Sequence, residues 1–217
     1  MDPKELVKAG YDSIAPAYLD FISNLPSPNI RWVDKLLNSL PQRDTAHILE
    51  LGCGNGTPCT KHMAEKVHQI TANDISSAQL SLAKEKLAVY QNIAYVEGDM
   101  TALKFQPESF DAVTALYSLI HLPRAEQPNM LRLIHSWLKP DGLLLCNFDE
   151  SEDAGSVMED WLGTRMFKSS FSAEQSKKMV SEAGFELVDT DIVSTVGGKA
   201  TVPFLWILAR KLSATGA

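Results

Sequence analysis

The stretch His47–Pro58, HILELGCGNGTP, constrains the fold more than any other part of the chain. A five-residue apolar run carrying one acid, Glu50, passes directly into glycines at 52, 54 and 56. A run that short fits a buried strand. Glycines there let the backbone turn tightly and let a ligand lie against it, because no Cβ stands in the way. A helix expected from about Pro58 to Lys66 aims its unpaired first N–H groups at the same point. The spacing Glu-x-Gly-x-Gly-x-Gly excludes a P-loop, which needs Gly-Lys-Ser/Thr, and is not the G-x-G-x-x-G of a dinucleotide site.

The same rhythm continues downstream. Strands are expected at 67–74, 93–98, 110–118 and 143–148. Between them, Ser76 and Gln79 form a capping box for a helix to about Tyr90. A helix after Pro123 carries the stripe Leu131, Ile134 and Leu138 and stops where Pro140 and Gly142 force a turn. Residues 149–171 have no clear period. Ser172 to Gly184 reads as a capped helix, and "FELVDTDIV" and "VPFLWILAR" as a closing hairpin. Upstream, Asp2-Pro3 with Glu5 opens a helix that should split near Gly10 and Pro16. Val33, Leu36, Leu37 and Leu40 share one helical face ahead of Pro41. Strand–helix alternation predicts an α/β, doubly wound parallel sheet covered on both faces, with the hairpin adding an antiparallel strand at an edge. In such sheets ligands bind beyond the carboxyl ends of the strands.

Each strand end supplies a suited group. Asp74 can accept both hydroxyls of a ribose. Asp99, between Gly98 and Met100, can accept the amino group of an adenine whose ring Met100 covers. In "LYSLIHLP", Tyr117 and His121 sit where the reactive end of a nucleoside ligand lies. His121 can act as a base, orient the ligand or satisfy a backbone carbonyl. The histidines at 47, 62, 68 and 135 read as solvent-facing.

Bulk properties exclude several classes. With 217 residues, 45% hydrophobic, the chain suits one domain. Its net charge of −7 argues against nucleic acid as a partner. Cys53, Cys59 and Cys146 make neither a CxxC pair nor zinc spacing, which fits reduced thiols and a cytoplasmic setting. No signal peptide or membrane span is expected. Asp149, Glu150, Glu152 and Asp153 follow the fifth strand, but the fourth supplies no acid, so no metal is expected.

Taken in order, "ILELGCGNG", "ANDIS", "VEGDM" and "FDAVTALYSLIHLP…WLKPDGLLL" resemble class I S-adenosylmethionine-dependent methyltransferases over roughly residues 1–211. "YDSIAPAY" (11–18) is similar to that family's Tyr-Asp-x-x-Ala-x-x-Tyr lid, and the ending "AGFELVDTDI…FLWILARK" to a small-molecule branch common in microbes. The resemblance implies a Rossmann-like seven-stranded sheet of order 3-2-1-4-5-7-6, its last strand antiparallel. One domain would span 1–217: a helical lid at 1–41, a cofactor core at 42–150, a substrate cover at 151–171, and a final helix and hairpin at 172–217.

By the same resemblance, Glu50, Gly52, Cys53, Gly54, Asn55 and Gly56 hold the methionine part of S-adenosylmethionine. Asp74 and Ile75 take the ribose; Gly98, Asp99 and Met100 take the adenine. Tyr11, Tyr18, Leu116, Tyr117 and His121 surround the sulfonium. The acceptor is expected to be a small molecule methylated at N, O or S by in-line displacement. Positioning alone contributes roughly 7–11 kcal/mol to such a step, and a base is needed only for a protonated acceptor. Non-methylating use of the same fold is the alternative, and a protein or RNA substrate a more distant one. The acceptor pocket draws on Phe21, Trp32, Trp161, Arg165, Met166 and Phe167. If helical, that cover puts Trp161 and Arg165 on one face, suited to a flat or anionic ligand. Monomer and homodimer both stay open.

Overall fold

The computed structural model describes residues 2–23, 28–197 and 200–212. Helices α1 (Pro3–Ser23) and α2 (Asn29–Ser39) precede strand β1 (His47–Leu51). Then come α3 (Cys59–Ala64), β2 (Gln69–Asp74), α4 (Ser77–Lys86), β3 (Ile93–Glu97) and β4 (Phe110–Ala115). Helix α5 (Gln127–Trp137) leads into β5 (Leu138–Asp149), and two strands, β6 (Asp153–Trp161) and β7 (Thr164–Ser170), follow. Helix α6 (Ala173–Glu182) and strands β8 (Phe185–Gly197) and β9 (Ala200–Lys211) close the chain. Seven strands form one sheet in the order β3-β2-β1-β4-β5-β9-β8, and β6 pairs only with β7. Without that extra hairpin the order is the expected 3-2-1-4-5-7-6. β9 runs antiparallel to both neighbours; the other adjacent pairs are parallel.

Successive residues of the central strands feed opposite cores, as a strand's two-residue period requires. Ile48 packs with Trp32, Leu36, Met63 and Trp206 beneath α2 and α3. Leu49 packs with Val113, Leu131, Ile134, Phe148 and Val180 beneath α5 and α6. Each such side chain contributes about 1.5–3 kcal/mol on burial. Trp32 is fully buried and stacks on Trp206 with ring centroids 5.6 Å apart. It is therefore a core residue and not part of an acceptor pocket.

Four further expectations are corrected. Helix α1 is continuous through Gly10 and Pro16. A Cβ on Gly10 would lie 2.9 Å from Met166 Cε and 3.0 Å from the Arg165 carbonyl oxygen, so the missing side chain lets the helix lie directly on β7. Residues 153–170 form a hairpin, so the helical pairing of Trp161 with Arg165 does not arise. Arg165 is exposed and pairs with Glu159 at 2.9 Å. The turn expected at Pro140 and Gly142 appears as a register break, where pairing jumps from Phe110↔Leu138 to Ala112↔Leu143 and Asp141 takes φ 61°. His47 and His135 are half-buried. His47 Nε2 lies 2.9 Å from Thr71 Oγ1, which also explains a polar residue within β2; His135 packs edge-on to Phe185.

Candidate active site

The carboxyl ends of β1, β2, β4 and β5 open on a cleft that α1 and the β6–β7 hairpin roof over. Three residues tie α1 down through polar contacts. Asp12 Oδ1 accepts from the Ser76 hydroxyl at 2.6 Å and from the Ala78 N–H at 3.1 Å, both at the start of α4. Lys4 reaches Asp99 at 2.6 Å and Glu126 at 2.9 Å. Tyr11 Oη lies 3.0 Å from His121 Nε2.

The cleft has two lobes sharing Tyr11, Tyr18, Gly52, Gly54, Leu116, Tyr117 and His121. The larger is about 280 Å³ and includes Glu50, Cys53, Asn55, Phe21 and Trp161. The smaller is about 70 Å³ and includes Asp74, Ile75, Gln79 and Met100. The three loop glycines all have positive φ but do different work. A Cβ on Gly54 would meet only Gln79 and Tyr18, both at 3.8 Å, so this glycine opens the loop to the cleft. A Cβ on Gly52 would collide with Ser118, and one on Gly56 with Leu87 of the α4 end, at 2.5 and 2.6 Å. Those two let the loop pack down on Ser118 and Leu87; Gly52 still lines both lobes, whereas Gly56 lines neither.

Asp74 organises the loop. Its Oδ2 accepts from the Gly54 N–H and its Oδ1 from the Ser76 N–H, each at 2.8 Å. Burial nonetheless raises its pKa to about 6. Glu50 is more enclosed. Burial raises its pKa to about 8 against the opposing hydrogen bond from the Thr60 hydroxyl at 2.6 Å, so it is largely protonated at neutral pH. Both carboxyls gain by meeting a cation or hydroxyl donors.

His121 is held from both sides. A carbonyl can only accept, so the 2.7 Å contact from Nδ1 to the Phe167 oxygen puts the proton on Nδ1. Nε2 then accepts the Tyr11 hydroxyl. Burial lowers the imidazole pKa to about 4, so it is neutral across the physiological range. Of the three roles open to this histidine, bonding to a backbone carbonyl is the one it performs; its other nitrogen holds Tyr11. Tyr117, immediately after β4, has a left-handed backbone at φ 53°, and its N–H donates to Asn147 Oδ1 at 2.6 Å.

Other expected residues fall differently. Asp99 lines neither lobe: its carboxylate takes Lys4 and both the N–H and hydroxyl of Thr101, so it caps a turn and latches α1. Gly98 also stays outside. Met166 is fully buried and Phe167 nearly so, both packed with Val7 and Ile14 of α1, and neither lines a lobe. Among the described residues no group of three or more His, Cys, Asp or Glu side chains could hold a metal ion.

Two features went unread in the sequence. Gln79 donates its backbone N–H to the Ser76 hydroxyl at 3.1 Å, but its side chain does not complete the capping box. The amide lies in the smaller lobe, 1% exposed, with neither Oε1 nor Nε2 hydrogen-bonded. Asp149 and Lys168 form a 2.8 Å ion pair on the wall of the larger lobe. No local pattern marks either, since the capping box already accounts for Gln79 and the Asp149 partner is nineteen residues away.

Residues 48–142 match the family model for a methyltransferase domain. Over this segment the chain is similar to methyltransferase domains. The putative methyltransferase YqeM of Bacillus subtilis is 28% identical over 152 residues, 69% of this chain and 60% of that protein, so the alignment spans less than two thirds of that relative. Demethylmenaquinone methyltransferase of Staphylococcus aureus is 25% identical with 92% of each chain covered. The solved [4+2]-cyclase SpnF shares the fold at a TM-score of 0.71 and 18% identity, with 95% of each chain covered.

The cleft fits S-adenosylmethionine on internal grounds. Burial holds Glu50 largely protonated, and a cationic amine beside it would favour the carboxylate; Asp74 and the unpartnered Gln79 amide face the smaller lobe as acceptors and donors for polar groups. No described helix of the domain is long and apolar enough to cross a membrane.

Proposed function

We propose that the protein transfers the methyl group of S-adenosylmethionine to an N, O or S atom of a small molecule. The observation that carries this reading is the pairing of two differently equipped lobes under one roof. One holds Glu50, Cys53 and Asn55; the other holds Asp74, Ile75, Gln79 and Met100; Gly52 and Gly54 line both. On this reading Glu50 meets the cofactor's ammonium, Asp74 and Gln79 its ribose, and Ile75 and Met100 cover the adenine. Asp99 acts at one remove, by holding Lys4 and with it the lid.

S-adenosylmethionine supplies a methyl group already activated on a sulfonium, whose departure leaves a neutral thioether. The chain's own residues then have to position the acceptor and exclude water. Helix α1 and the hairpin do the excluding. Tyr11, fixed by His121, and Tyr18, in edge contact with it at 5.2 Å, wall the junction of the lobes. A neutral His121 already bonded at both nitrogens is a poor proton acceptor, which favours acceptors that arrive deprotonated. That a relative is named for demethylmenaquinone agrees with a small, ring-bearing acceptor.

Incubation with methyl-labelled S-adenosylmethionine and a panel of amines, thiols, phenols and enols should yield labelled product and S-adenosylhomocysteine in equal amounts. The second reading, a non-methylating reaction on the same fold, has the likeness to the cyclase in its favour. It predicts acceptor turnover with no S-adenosylhomocysteine, and that result would replace the first reading.

A further inference from the structure

The larger lobe extends well past the part assigned to the cofactor. Glu50 lies one residue before the end of β1 and pairs level with Thr114 and Leu145, whereas Asp149 ends β5 four residues further on, so the two residues are two strands apart across the sheet and about 13 Å apart along it, roughly 16 Å in all. On the β5 side the wall is apolar and aromatic: Phe21, Met158 and Trp161 from the roof, Tyr117 and Phe204 from the sheet edge. Phe21 and Trp161 meet at 6.2 Å, and Tyr117 and Phe204 at 4.8 Å, giving two aromatic surfaces on one cavity.

One ion pair interrupts this wall. Asp149, 3% exposed, spends Oδ1 on the N–H and hydroxyl of Ser151, at 2.9 and 2.6 Å, and Oδ2 on Lys168 at 2.8 Å. The carboxylate is thus satisfied from within the chain. The ammonium has three donors, and Asp149 is its hydrogen-bond partner among the described residues. Asp149 anchors the lysine, leaving donors for an incoming acceptor oxygen in surroundings where a charge-assisted hydrogen bond is strong.

We propose that the larger lobe binds a flat conjugated ring bearing a carbonyl or ionised hydroxyl oxygen, with the ring against the aromatic wall and the oxygen on Lys168 Nζ. This deepens the methyl-transfer reading and rests on it. Lys168 stabilises the ionised form of such a ring. An ionised acceptor brings its lone pair to the methyl carbon with no proton to lose, so the neutral, doubly bonded His121 is no handicap. Lys168 is a binding residue for the acceptor and has no contact with the cofactor part of the cleft.

The test uses the full chain saturated with S-adenosylhomocysteine and two rings of matched shape, 4-quinolone and quinoline, titrated by calorimetry. 4-Quinolone is expected to bind at least tenfold tighter. The double variant Asp149→Asn with Lys168→Met, which removes both charges together, should reduce that preference below threefold and leave S-adenosylhomocysteine affinity within twofold of wild type. Lys168→Arg should keep the preference. Equal binding of the two rings by the wild type, or a preference undiminished in the double variant, overturns the proposal. The wild-type comparison decides the matter even if the variants do not fold. If S-adenosylhomocysteine itself fails to bind, the methyl-transfer reading falls, and the ring preference is then read on the protein alone. Cofactor uptake without ring preference sinks only the acceptor proposal.

Discussion

Glu50→Gln should make the protein more stable and its cofactor binding weaker. The carboxyl is 5% exposed and its pKa is raised from 4.5 to about 8. A group whose folded pKa is raised contributes stability fully present below pH 4.5 and lost as pH rises through about 8. At pH 7 the unfolded chain has released this proton while the folded chain keeps it. The cost relative to low pH is about 3.5 kcal/mol, from some 2.5 units of pH at about 1.4 kcal/mol each. Glutamine keeps the side chain's shape, and its Oε1 can still accept the Thr60 hydroxyl, but it does not titrate. At pH 7 the variant should therefore melt higher, by roughly 7–14 °C for a domain of this size, and by somewhat more at pH 8. Below pH 4.5 the difference should vanish. Because glutamine cannot release a proton to become the carboxylate that pairs with a bound ammonium, S-adenosylmethionine binding should weaken by about 1.5–3 kcal/mol, or roughly tenfold to over a hundredfold. Scanning calorimetry from pH 4 to 8 and isothermal titration read the two effects separately. A variant that melts lower at pH 8 and binds the cofactor as well as wild type would refute both the burial argument and the assignment of Glu50.

His121→Gln should act in the opposite pH window. With a folded pKa near 4 against 6.5, the histidine supports stability above pH 6.5 and loses that support as pH falls toward 4, so the variant's acid-side melting curve should be flatter. Methyl transfer by the wild type should show no ionisation near 6–7 attributable to this residue; a pKa there that disappears in the variant would restore it as a base. Gly10→Ala should lower the melting temperature although alanine favours helix, because its Cβ would meet Met166 and the Arg165 carbonyl within 3.0 Å. A higher melting temperature would mean that α1 does not rest tightly on the hairpin. Trp32→Ala should cost about 3–5 kcal/mol in denaturant unfolding, with the cofactor affinity of the folded fraction unchanged; a selective loss of acceptor binding would return Trp32 to the pocket.

The strand order came from the family resemblance; local pattern alone reached the doubly wound parallel sheet with its closing hairpin, the glycine loop, and the placing of Asp74 and His121 just beyond strand ends. These depend on short-range rules. A buried strand must be apolar, a tight turn next to a ligand must shed side chains, and an alternating chain must wind its sheet with one hand. Where side chains finally point depends on partners far along the chain. Trp32 went into the core because Trp206, 174 residues later, stacks on it. Asp99 was drawn from the cleft by Lys4, 95 residues earlier, and Gln79 left its expected cap for a lobe that exists only once α1 has closed over β2. The Lys168–Asp149 pair arises because a segment without helical or strand period folds back as a hairpin over the end of β5. Contacts of that range carry no periodic trace in the chain; only the assembled sheet and its roof decided them.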